Sequence, residues 1–117
     1  MAEIQKFDCS DTKIPRRIVS VLRKLKYDLT QIESVKRIVL FGSYSKGTYD
    51  KNSDIDIAVF VDDSVKEKMS DIFREAAYCI AKYPLDIQIL VFSESMLAEP
   101  VGIVEEIVLY GKDIKSL

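Results

Sequence analysis

The sequence contains no histidine. That absence removes Ser-His-Asp and Cys-His mechanisms and any histidine-built metal site. Cysteine is scarce too: Cys9 and Cys79 stand alone, with no C-x-x-C pattern. Reduced thiols in the cytoplasm are the expectation, although two cysteines leave a bridge open. No apolar run approaches the roughly 20 residues needed to span a bilayer. The opening Met-Ala-Glu-Ile-Gln-Lys lacks the apolar segment of a signal peptide. A membrane partner is therefore not expected. Neither charge sign is in large excess: 17 Lys and Arg against 19 Asp and Glu leave a net charge of −2. Direct nucleic-acid binding is not expected at that balance. Repeats, low-complexity segments and linkers are missing as well. Polar chemistry is left to carboxylates, Lys and Arg, Ser and Thr, and Tyr.

What is present is enough for one domain with one core: 117 residues, 48% hydrophobic and 31% charged. The stretch Leu40–Val61 organises it. An apolar run ends in Gly42-Ser43, and ten residues later come Asp54 and Asp56, followed by a second apolar run. The reading is strand, tight turn with a short helix, loop, then a strand that opens on two carboxylates. Side chains alternate along a strand, so Asp54 and Asp56 share a face, with Cα atoms about 6.5 Å apart. Carboxylates that close repel unless a cation sits between them. Mg²⁺ takes one or two carboxylates plus substrate phosphates. A small-residue turn opening a helix offers backbone N–H groups to an anion. Together the two halves describe a site for a metal-bound polyphosphate.

Two familiar motifs nearly fit and fail. Gly42 to Gly47 has P-loop spacing, but Thr48 stands where the lysine belongs. Asp50, Asn52 and Asp54 imitate an EF-hand loop, but Ile55 replaces its glycine and Val61 its glutamate. Glycosyltransferases also use Asp-x-Asp, but 117 residues do not hold a nucleotide-sugar fold of the usual size.

The rest of the chain reads as framework. Ile14, Ile18, Val21, Leu22, Leu25 and Leu29 predict a helix from Thr12 to about Leu29, with Thr12 as cap. Its polar face is basic from Lys13 to Lys26, either a solvated face or a dock for an acidic partner or RNA. Val35–Phe41 predicts a buried strand. Asp54–Val61 predicts a central one, since it is apolar on both faces beyond the aspartates. Ser64 and Glu67 form a capping box for a helix to about Lys82, with Met69, Ile72, Phe73 and Ala76 in its core stripe. Leu85–Phe92 predicts a third strand, opening with Asp86. Pro100 opens a last helix with Val101, Val104, Ile107 and Val108 buried and Gly111 as its stop.

The string Gly42-Ser43, ten residues, Asp54-x-Asp56 resembles the signature of the polymerase-beta-like nucleotidyltransferases, and its shortness resembles the minimal nucleotidyltransferases. The resemblance covers Lys36 to about Phe92. It implies an α/β fold, a small mixed β-sheet flanked by helices. It implies Mg²⁺-dependent transfer of AMP from ATP to a hydroxyl through a two-metal site. Asp54 and Asp56 would ligate the metals, and Asp86 would share one and act as general base. Gly42, Ser43, Lys46 and Ser53 would contact the nucleotide. Where family members read Gly-Ser-Arg-Ala-Arg-Gly, this chain has Tyr44 and Ser45 in place of the first arginine and the alanine. Minimal members are often paired with HEPN-domain RNase toxins, whose tyrosine they adenylylate as antitoxins. A homo- or hetero-oligomer would complete the acceptor site. The alternatives are transfer to a small molecule such as an aminoglycoside, and an antitoxin that acts by binding alone.

Overall fold

A computed structural model of the protein describes residues 14–117. The elements are α1 (Arg16–Thr30), β1 (Val35–Phe41), α2 (Ser43–Lys46), β2 (Ile55–Val61), α3 (Met69–Ile80), β3 (Ile87–Ser93), α4 (Ile103–Tyr110) and β4 (Lys112–Asp113). The strands form one mixed sheet in the order β3-β2-β1-β4, with β2 and β3 parallel and the other pairs antiparallel. This is the expected small mixed sheet flanked by helices. No described helix is long and apolar enough to cross a membrane.

β2 is the centre because it has no solvated face to spare. Residues Ile57 to Val61 are all fully buried. Its odd positions, with Ile38 and Leu40 of β1, meet α1 and α3 on one face of the sheet. Ala58 and Phe60, with Val39 and Phe41, meet Val104 and Ile107 of α4 on the other. In α1, Ile18, Leu22, Leu25 and Leu29 are buried at the predicted helical spacing. Each such side chain contributes about 1.5–3 kcal/mol by leaving water. Pro15 is the residue that opens the helix; Thr12, the expected cap, lies outside the described residues, as does Cys9. Lys26 is not simply solvated: its Nζ donates to the Leu117 carbonyl at 3.0 Å, tying α1 to the end of the chain.

Three expectations change. The Ser64–Glu67 capping box does not form, because Asp62 comes first: its Oδ1 accepts from the Ser64 N–H at 2.8 Å. The chain then runs as a 3-10 segment, Asp63–Lys68, and α3 starts only at Met69. Phe73 is 45% exposed, since Ile72 and Ala76 are the positions that α3 buries. Val101 is 70% exposed, because Gly102, at φ +59°, turns the chain so that α4 begins at Ile103.

Gly111 ends α4, in extended backbone (φ −66°, ψ 152°) rather than the left-handed form, and the chain then pairs as β4 against Val39 and Leu40. A Cβ there would run into the Ile107 carbonyl and the Val39 side chain. Gly111→Ala is expected to cost about 1–3 kcal/mol by overpacking, a fall in Tm of roughly 4–12 °C. Thermal melts by circular dichroism would test this; an unchanged Tm would show that the α4–β4 corner can relax.

A polar staple closes the α1 end of α3. Asp28 Oδ2 accepts from Lys82 Nζ at 2.7 Å and from Tyr83 Oη at 2.8 Å. The Lys82 and Tyr83 hydrogen bonds hold the Asp28 carboxyl below its usual range. Burial, with Asp28 next, pushes the Tyr83 hydroxyl up to about 12. A lowered carboxyl contributes stability above its unfolded value, near 3.9, and loses it as pH falls through the lower folded value. The parent protein should therefore lose more stability than Asp28→Asn on acidification below about pH 4. Urea midpoints across pH 3–7 would show it; parallel profiles for the two proteins would remove Asp28 as the cause.

Candidate active site

The antiparallel pairing of β1 with β2 sets Phe41 opposite Asp56, so the end of β1 meets the start of β2. That register brings Gly42 against Asp56. Gly42 has φ +74° and ψ −152°, a conformation other residues adopt only under strain. A Cβ built on it would collide with the Asp56 carboxylate. The glycine is therefore what lets the backbone turn lie directly on the carboxylate. Lys46 N–H and Ser45 Oγ both donate to the Gly42 carbonyl, at 3.1 and 2.9 Å, and fix the turn that opens α2.

Asp54 and Asp56 are both half-buried at this corner. Burial first, then the Asp54 charge and the Glu106 charge, push the Asp56 carboxyl above its usual range. This is an anion among anions, and a bound cation would relieve it. The donors are hard oxygens, suited to Mg²⁺ completed by phosphate oxygens. Among the described residues, no three acidic or sulfur side chains converge tightly enough to hold a metal by themselves.

Asp86 sits at the same end of the sheet, because β3 runs parallel to β2 with Ile55 beside Ile87. Its carbonyl accepts from the Ile55 N–H at 2.9 Å. Its side chain is exposed and lines a cleft of about 610 Å³, shared with Arg17, Tyr44, Lys51, Ser53 and Tyr83. Gly42, Ser43, Asp54 and Asp56 do not line that cleft. The sequence candidates thus fall into two groups: Gly42, Ser43, Asp54 and Asp56 at the β1–β2 corner, and Ser53 and Asp86 at the cleft beside it. Ser53 also has a local task, since its Oγ accepts from the Asp50 N–H at 2.8 Å and closes the loop before β2.

Tyr44 does not take over the place of an arginine. It is buried in the core on the α1 face and stacks on Tyr49, ring centroids 4.8 Å apart. Lys46 points instead toward α4: its Nζ lies 3.4 Å from Glu106 Oε1 and 5.0 Å from the centre of the Tyr110 ring. Glu106 and Tyr110 are neighbours of the site that the sequence did not single out. The only trace of them is their i, i+4 spacing on a helix read for its buried stripe.

Known proteins resemble this chain in sequence and in fold. The family model described as Nucleotidyltransferase domain matches residues 22–113. A relative from Methanocaldococcus jannaschii, provisionally named a protein adenylyltransferase, is 28% identical over 101 residues, covering 83% of this chain and 98% of its own. The crystal structure of a protein from Sulfolobus solfataricus, provisionally named a nucleotidyltransferase, superposes with a TM-score of 0.61 at 16% identity, over 77% of this chain and 76% of that one. That likeness is one of fold. A toxin–antitoxin crystal structure with AMP-PNP aligns at 27% identity and a TM-score of 0.45, over 82% of this chain and 71% of that one.

Proposed function

The chain belongs to the nucleotidyltransferase domain family, and on that premise we propose that it moves AMP from ATP to a tyrosine hydroxyl of a partner protein. The observation that carries the reading is the close approach of Gly42 to Asp56, with Asp54 beside it. That corner joins a backbone turn suited to phosphate oxygens to a carboxylate pair in need of positive charge. Transfer to protein is supported by the M. jannaschii relative, whose name is that of a protein adenylyltransferase and whose length this chain nearly spans.

In this reading Asp54 and Asp56 would hold Mg²⁺, which when bound would supply countercharge to the phosphates and Lewis-acid polarisation of the phosphoryl group. Gly42 and Ser43 cradle the triphosphate, and Lys46 adds a positive charge to it. Ser53 Oγ, already an acceptor for Asp50 N–H, keeps its proton to donate to the nucleotide. Asp86 takes the proton of the acceptor hydroxyl, whose oxygen bonds to the α-phosphorus. The bond from that phosphorus to the bridging oxygen breaks, and pyrophosphate leaves. The cleft at Asp86, with Arg17 and Lys51 on its wall, admits the acceptor segment.

The reading extends to an antitoxin role, in which the acceptor is a HEPN-type RNase toxin silenced by the added AMP. It rests on the resemblance to short nucleotidyltransferases paired with such toxins. The test is an intact-mass assay of the purified protein with MgATP and the product of the adjacent gene. An AMP-sized increment on that protein supports the proposal. An increment on an aminoglycoside, with the protein unmodified, moves the acceptor to a small molecule. No increment on either overturns the transferase reading.

A further inference from the structure

Lys46 stands three residues beyond Ser43 on the short helix that opens at Gly42, the one cation of that helix. Its ammonium is already engaged. Glu106 Oε1 lies 3.4 Å away, and the Tyr110 ring faces it at 5.0 Å. Glu106 and Tyr110 are one turn apart on α4, so a single helix face offers one cation both a carboxylate and a π surface. α4 is a firm support for them, since Val104 and Ile107 are buried against Val39, Phe41 and Phe60 of the sheet. By occupying the lysine, Glu106 opposes an incoming polyphosphate.

We propose that Glu106 is a positioning residue that sets the affinity of the site for a triphosphate by competing with the phosphates for Lys46. When the nucleotide binds, the ammonium exchanges the Glu106 carboxylate for a phosphate oxygen, while the Tyr110 ring remains within its reach. The inference rests on the nucleotidyl-transfer reading and adds to it a residue from the far end of the chain. The contact is half-exposed, with side-chain exposures of 33% for Lys46 and 40% for Glu106. The competition is accordingly modest, worth about threefold in affinity.

The test is a double-mutant cycle on the full chain, read as the Kd for MgATP by calorimetry with no acceptor present. Glu106→Gln should tighten binding about threefold, and Lys46→Met should weaken it. In the Lys46→Met background, Glu106→Gln should change the Kd much less, because the lysine it would release is gone. An equal gain in both backgrounds would show that Glu106 acts only through its charge on the carboxylates, and would overturn the proposal. No gain in either would overturn it as well. If none of the four proteins binds MgATP, this inference and the nucleotidyl-transfer reading fall together; binding without coupling removes this inference alone. Matched thermal melts of the four proteins exclude a folding effect as the source of the change.

Discussion

Asp54→Asn/Asp56→Asn is expected to lower the proposed AMP transfer by about 10³-fold or more, the scale set by removing preorganised charge stabilisation from an active site. The double variant should nevertheless fold, and should melt no lower than the parent. Asp56 is an anion that burial, Asp54 and Glu106 all disfavour, so two neutral amides of the same shape remove a repulsion that the folded chain otherwise bears. Loss of activity with stability kept or raised is the signature of charge held for a ligand at a cost to the fold, while the amides keep the polarity of both positions. Intact mass of the partner gives the first quantity and thermal melts the second. Transfer at the parental rate would remove Asp54 and Asp56 from the chemistry. A variant that still silences the partner without modifying it would leave a protein that works by contact alone.

The second large effect is expected at Gly42. Gly42→Ala places a methyl group where the Asp56 carboxylate lies; even Asp56 Cγ and Cβ would stand only 3.1 and 3.3 Å from it. The backbone, at φ +74° and ψ −152°, is in a region that costs a non-glycine residue about 1–3 kcal/mol. Either the turn moves or Asp56 does, and both displace the corner. Transfer should fall by about 10²-fold, as a displacement near 1 Å can cost, with stability reduced by the backbone strain. Gly47→Ala is the control. Gly47 also has positive φ, at +79°, but nothing lies within 4 Å of its missing Cβ. It should lose about 1 kcal/mol and keep its activity. Urea titration and initial rates separate the two; equal rate losses would mean that the collision with Asp56 is not what matters at position 42.

The corner was legible in the sequence because both of its halves follow local rules. Apolar runs that end in Gly42-Ser43 and begin at Asp54 dictate strands, and period-two alternation puts Asp54 and Asp56 on one face. α1 was legible for the same reason, its stripe repeating at helical spacing through Leu29. What escaped is what depends on distant partners. β4 has two residues, Lys112 and Asp113, and no pattern of its own; it exists because Gly111 lets the chain lie against Val39 and Leu40. Lys46 reads as a free cation until α4 folds back to set Glu106 beside it. Tyr44 reads as a gap in a basic motif, but its ring belongs to the core. Phe73 fits the stripe of α3, yet the helix buries its neighbours Ile72 and Ala76 instead.

β2 is buried on both faces from Ile57 onward, so most of its length carries no mark of which way up it should lie. A slip of one residue would exchange Ile57, Val59 and Val61 for Ala58 and Phe60 between the two cores, a change of side-chain volume but not of polarity. Asp54 and Asp56 supply the missing mark, because the same slip would turn them toward Ile18 and Tyr44 in the dry interior, at several kcal/mol for each unpaired charge. The pair is thus an address label for the strand, apart from any ligand it holds. Sequences that drifted to apolar residues at both positions would lose the instruction that aligns the centre of the sheet.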